Sequence, residues 1–258
     1  MNKLKYVLIL ILAIGTVKAQ EVDVYPSAVK KLLRVYPLSI ISFDGTHLIM
    51  DDGSRVKYEK SVGKAHKDLI KSDLVEDMFV YKYEKGVVKD LPKNHDPGRI
   101  RSEILFKRMY GATSEEVQKH LVTIVWCPNL INQNLKISQI NGVDKQLQKV
   151  SDELDKHTEL RDYLYSAGTF NWREVRGANR LSPHSYGIAI DLNVKYSNFW
   201  QWDCHCKAED ADLIYKNRIP QLIVDIFEKY GFIWGGKWYH YDTMHFEYRP
   251  ELLLEEKE

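Results

Sequence analysis

The chain has 258 residues, 44% hydrophobic and 28% charged, which suits one or two globular domains and excludes a disordered or collagen-like polymer. Its 37 Lys and Arg stand against 36 Asp and Glu, a net charge of +1. The basic surplus that phosphate-backbone binding draws on is missing, so no nucleic-acid partner is expected.

At the start of the chain, Lys3 and Lys5 precede a short apolar run over 6–14, and Val17-Lys18-Ala19 follows with small residues. This pattern reads as a signal peptide, residues 1–19, cleaved after Ala19. The run is too short to span about 30 Å of hydrocarbon, and no Cys follows it to take a lipid. The expectation is an exported protein, periplasmic or extracellular, with no retained membrane anchor.

Next come a helical pattern over 27–36 and strand-like runs over 38–43, 46–50 and 55–58. The turns Asp44-Gly45 and Asp52-Gly53 separate these runs, which predicts a small antiparallel meander. Asp96 and Pro97 have the form of a cap and first-turn proline, opening a helix through Ile100, Ile104, Leu105 and Met109 that stops near Gly111. Thr113 with Glu116 is a capping box for a further short helix. Residues 121–127 read as a strand ended by Pro128. The stretch 143–167 carries an amphipathic helical pattern through Leu147, Val150, Leu154 and Leu160. A last helix over 220–230 closes at Gly231. The class is α+β, with an N-terminal accessory region over 20–112 and a second domain over 113–258.

Three cysteines, Cys127, Cys204 and Cys206, allow one intrachain bridge in an oxidising compartment. A bridge from Cys127 to one of the pair and free thiols in a loop are both open. Cys204-His205-Cys206 lacks the second ligand cluster that a structural zinc needs. There is no H-E-x-x-H, nucleophile elbow, dinucleotide fingerprint or P-loop. Two S-x-x-K strings, at Ser27 and Ser61, lack the S-D-N and K-T-G elements of a serine penicillin-binding enzyme.

Chemistry gathers in two segments. In the first, Ile188, Ile190, Leu192 and Val194 alternate with Ala189, Asp191 and Asn193, a half-buried strand with Asp191 on its polar face. Gly187 lets the chain turn before it, and His184 sits on the approach. In the second, Met244, Phe246 and Tyr248 share one face, so His245 and Glu247 point the other way. If the two strands pair, His184, Asp191 and His245 meet. Two imidazoles and a carboxylate with one open position are the ligand count of a catalytic zinc. Asp242 must then lie in the turn entering the second strand, where its carboxylate reaches water at the metal. His47, His66, His95, His120, His157 and His205 have no ligand-like company in the sequence.

These segments resemble the zinc D,D-peptidases of bacterial cell walls: D-alanyl-D-alanine carboxypeptidases, D,D-dipeptidases and L-alanyl-D-glutamate endopeptidases. The pattern S-x-H-x-x-G-x-A-x-D is met by Ser182, His184, Gly187, Ala189 and Asp191, and D-x-x-H by Asp242 and His245, with Trp234 to Gly236 shortly before. The resemblance covers roughly 123–253. It implies a hedgehog/DD-peptidase-like fold, with a central antiparallel sheet flanked by helices. It also implies Zn2+ on His184, Asp191 and His245, with Asp242 as general base. The implied substrates are peptidoglycan peptides, cut either as a D,D-carboxypeptidase or as an L-Ala-D-Glu endopeptidase. An arginine upstream that steadies the anionic intermediate is implied as well; Arg173, Arg176 and Arg180 are candidates, with Arg173 favoured. Ser182 and His240 are candidate substrate contacts, although a turn role for the serine and a packed position for the histidine fit the sequence equally. A zinc-holding module of the same fold that binds peptidoglycan or a protein without cutting it is the alternative, and the Asp242 carboxylate argues against it.

Overall fold

The two Asp-Gly turns do what their residue types demand, since Gly45 and Gly53 adopt φ of +97° and +78°. A computed structural model describes residues 25–175 and 180–255 of the chain. The signal-peptide reading (1–19) and Arg176 fall outside the described residues.

Two compact units divide after Lys57. In the first, helix α1 (Ser27–Val35) packs on strand β1 (Ile40–Phe43). Strands β2 (His47–Met50) and β3 (Arg55–Lys57) complete an antiparallel sheet in the order β1-β2-β3. Val29, Leu32, Leu48, Met50 and Val56 are buried, following the helical and alternating patterns of their segments.

The second unit starts at Tyr58 and holds residues 58–112 together with the segments that carry the chemistry. Helix α2 (Glu103–Tyr110) is shorter than expected: Ser102, not Asp96, caps it, its Oγ accepting from Leu105 N at 3.4 Å. Gly98, at φ +103°, breaks the helical path after Pro97 and frees Asp96 for another task. Helix α3 (Ser114–Gln118) has the Thr113 cap, with Oγ1 accepting from Glu116 N at 3.2 Å. Strand β4 (Leu121–Trp126) pairs antiparallel with β5 (Gln133–Ser138). The helical pattern over 143–167 yields only helix α4 (Val143–Leu154) and a 3-10 stretch, Thr158–Tyr163, because His157 leaves helical geometry at φ −108°, ψ 83°. Helix α5 (Gln221–Lys229) ends before Gly231, at φ +90°.

The remaining sheet carries the site. Strands β6 (Ala189–Asp191) and β7 (Phe232–Trp234) flank β8 (His245–Tyr248) in the order β6-β8-β7, all antiparallel. Among the described residues, the β-structure of this unit forms two small antiparallel sheets. Phe246 stacks on Phe227 at 4.0 Å between ring centroids, so α5 covers the apolar face while the other face is left to the polar residues.

Cys204 and Cys206 are bridged to each other, with Cα atoms 5.2 Å apart, and Cys127 is buried and unbridged. The Cys127 bridge held open from the sequence does not form. Cys127 instead ends β4 in a left-handed conformation, φ +43°, with its N–H on Ser151 Oγ at 2.7 Å.

Candidate metal centre

Register makes the site. Asp191 is the direct partner of His245 across the β6–β8 ladder, which sets a carboxylate beside an imidazole on the polar face. The third group arrives on a 3-10 turn, Pro183–Tyr186, which Ser182 caps: its Oγ accepts from His184 N at 3.4 Å. Gly187 then turns the chain into β6 at φ +64°, where a Cβ would lie 2.6 Å from Leu121 Cδ2. His184 Nε2 lies 3.2 Å from Asp191 Oδ1 and 3.3 Å from His245 Nδ1, and His245 Nδ1 lies 3.0 Å from the same oxygen. The sequence-derived trio thus converges.

The far nitrogens define the tautomers. His184 Nδ1 faces the carbonyl oxygen of Thr169 at 2.5 Å, so it must carry the proton and leave the Nε2 lone pair to the centre. His245 Nε2 donates to Glu247 Oε2 at 3.1 Å, which leaves Nδ1 facing the centre. Three lone-pair donors turned toward one point, the two imidazoles steadied from behind, fit a zinc ion. Both histidines are almost fully buried, and Asp191 remains one-fifth exposed, so the cluster opens on one side.

Glu247 was left without a role by its sequence position, and the structure supplies one. It is fully buried; Oε1 accepts from Arg249 Nη1 at 2.9 Å, and Arg101 Nη1 lies 3.5 Å from Oε2. Burial alone would raise its pKa, yet Arg101, the bond to His245 and Arg249 hold it down at about 2. Burial opposes the charged ring of His245 too, but Asp191 and Glu247 outweigh it and push the metal-free pKa to about 10. No sequence signal marked Arg101, since it comes from outside both motifs.

Asp242 occupies the turn before β8, pairing as a β-bridge with Phe199, and its carbonyl accepts from His245 N at 3.2 Å. Its Oδ1 is buried without a hydrogen-bond partner. Burial, then the Asp191 charge, raises this carboxyl to about 7; a cation among the three donors would draw it down again.

The arginine candidates separate. Residues 173–175 and 180–182 run antiparallel, with Glu174 bridged to Leu181. Arg173 is exposed at the rim, its guanidinium donating to Glu174 O at 3.3 Å. Arg180 reaches inward, donates to the carbonyl of Arg99 and keeps a buried Nε without a partner. Burial, then Arg101 and Arg99, press its pKa well down, the signature of clustered cations short of an anion. These side chains line a cleft of about 1250 Å³ with His184, Asp191, Asp242 and His245, and with Trp200, Trp202 and Trp238.

His240 is packed inside the protein, the alternative that the sequence left open. Its ring is fully buried, with Nδ1 2.7 Å from Asp96 Oδ2 and Nε2 3.0 Å from Glu209 O, so both nitrogens are spent inside the protein. Ser182, almost fully buried, acts as the cap of the His184 turn.

No curated protein and no solved structure matches the chain. Residues 176–248 match the family described as D-alanyl-D-alanine carboxypeptidase, and that span contains the three converging groups, His184, Asp191 and His245, and Asp242 on the same cleft. Over residues 176–248 the chain is thus similar to the M15 peptidase family described as D-alanyl-D-alanine carboxypeptidase, and the residues that carry the candidate centre lie in that segment.

Proposed function

We propose that the protein is an exported zinc peptidase that hydrolyses amide bonds in peptidoglycan stem peptides, with a hedgehog/DD-peptidase-like arrangement around the metal. The observation that carries this reading is the buried, unpartnered carboxylate oxygen of Asp242 on the same cleft as the His184, Asp191 and His245 donors. A module that only binds has no use for that desolvated group, whereas a hydrolase needs a base of this kind. Zinc in this donor set supplies Lewis acidity that polarises a carbonyl and makes water acidic near neutral pH. Asp242 takes the proton from the attacking water and returns it to the departing amine. Arg180, rather than the rim residue Arg173, pairs with negative charge on the substrate, either at the carbonyl oxygen in the transition state or at a terminal carboxylate.

A D,D-carboxypeptidase is favoured over an endopeptidase by Arg180, a guanidinium on the cleft with no carboxylate partner among the described residues and an unpartnered buried Nε, which suits a free C-terminal carboxylate. Export is supported by the leader pattern at 1–19, and the Cys204–Cys206 bridge suits the oxidising compartment that such export implies.

The test is digestion of purified muropeptides with mass detection. Zinc-loaded protein releases D-alanine, and Asp242→Asn lowers turnover by about 10²–10⁴ while zinc content stays unchanged. Cleavage between L-Ala and D-Glu instead assigns the endopeptidase chemistry. No product from either bond, with zinc bound, overturns the enzymatic reading.

A further inference from the structure

A second group of donors lies in the same unit, apart from the His184, Asp191 and His245 cluster. Asp96 is fully buried, and its Oδ2 lies 2.7 Å from His240 Nδ1 and 3.5 Å from His66 Nε2. Glu209 Oε2 lies 3.6 Å from His66 Nε2 and 3.6 Å from His240 Nε2. One ligand atom from each of the four residues falls within 4.8 Å of the other three. The His66 and His240 rings stack 5.5 Å apart.

The hydrogen-bond inventory is incomplete without an ion. His66 is nine-tenths buried at its side chain, and its Nε2 has no hydrogen-bond partner although it points at two carboxylates. Its other nitrogen is held by Tyr81 Oη at 3.1 Å. His240 Nε2 faces the backbone carbonyl of Glu209, an acceptor only, so the proton of a neutral ring resides there. His240 Nδ1 then turns a lone pair toward Asp96 Oδ2, two acceptors in contact, which is repulsive unless a cation is shared between them. The same logic orients His184 at the first centre. Arg99 bonds both carboxylates, at 2.7 Å to Asp96 and 2.9 Å to each oxygen of Glu209. Two negative charges against one leave a surplus of one, and each carboxylate oxygen has a second lone pair to offer.

We propose that His66, Asp96, Glu209 and His240 form a second zinc site, structural in kind because four protein ligands fill the coordination shell. Two imidazoles and two carboxylates suit Zn²⁺ in tetrahedral geometry. The ligands come from four separate stretches of chain, so the ion would tie the loop carrying Glu209 to the cleft wall beside Asp242. The competing arrangement is a closed ion-pair network in which His240 is an imidazolium and no metal enters.

Elemental analysis of the full chain, dialysed against zinc and then against metal-free buffer, separates them. The expected result is two zinc ions per chain in the wild type, one in His66→Gln, one in His184→Ala and none in the double variant. If His66→Gln does not fold, the wild type and His184→Ala decide alone. An ion kept by His184→Ala and lost in the double variant supports the second site even if the first centre proves different. A single ion in the wild type with none in His184→Ala, no zinc in any variant, or an ion in His184→Ala that persists after His66→Gln, overturns the proposal.

Discussion

Replacing Glu247 by Gln tests how the first centre is tuned, because this buried carboxylate touches the His245 ring and no substrate. In the wild type its Oε2 accepts the His245 Nε2–H at 3.1 Å, while Arg249 and Arg101 secure it from the other side. Glutamine keeps the volume and an acceptor oxygen but removes the charge that makes the His245 lone pair a strong donor. Loss of such a partner behind a metal ligand weakens binding by about 10–100-fold, or roughly 1.4–2.7 kcal/mol. The two buried arginines also lose a counter-charge, adding about 1–3 kcal/mol of destabilisation. Competition against a chromogenic zinc chelator at fixed pH and ionic strength reads the first effect, and urea unfolding of the metal-free protein reads the second. A folded Glu247→Gln with the wild-type zinc Kd would refute the argument that Glu247 tunes the centre.

Zinc loading should be coupled to proton release: His245, raised to about 10 when metal-free, is protonated at pH 7–8 and must give up that proton to bind. Affinity therefore rises with pH toward 10 and falls on acidification, and the calorimetric binding enthalpy shifts with the ionisation enthalpy of the buffer; a buffer-independent enthalpy would contradict this. Gly187→Ala should destabilise the protein by about 2–5 kcal/mol, since φ is +64° and the new Cβ meets Leu121 Cδ2 at 2.6 Å and Ser138 N at 3.2 Å. Thermal unfolding checks this, and an unchanged Tm would refute it. Asp77→Ala should cost about 3 kcal/mol, because the fully buried carboxylate accepts from Ser61, Ser72 and Lys64. Burial opposes its charge, but these donors hold its pKa below 3.8. The stabilisation is thus full above that value and fades as pH falls further, and a wild-type-minus-variant difference that stays constant into strong acid would contradict the assignment.

The local sequence determined the elements whose signals are short-range. The Asp-Gly turns, the Thr113 cap, the Gly231 stop and the alternation through Ile188 and Phe246 each follow from bonded neighbours and side-chain period. The meeting of His184, Asp191 and His245 was also legible, because once two alternating strands pair, the polar face of each is fixed by its apolar one. The reach of the Asp96 helix was not, since it depends on a partner far along the chain. Asp96 gives up its capping role to hold His240, 144 positions away. Arg101 reaches Glu247 across 146 positions, and of the two arginines on the cleft Arg180 is drawn in to the Arg99 carbonyl while Arg173 stays exposed. Charges buried together from distant segments leave no spacing rule in the sequence; their pairing is decided by which surfaces the tertiary fold removes from water.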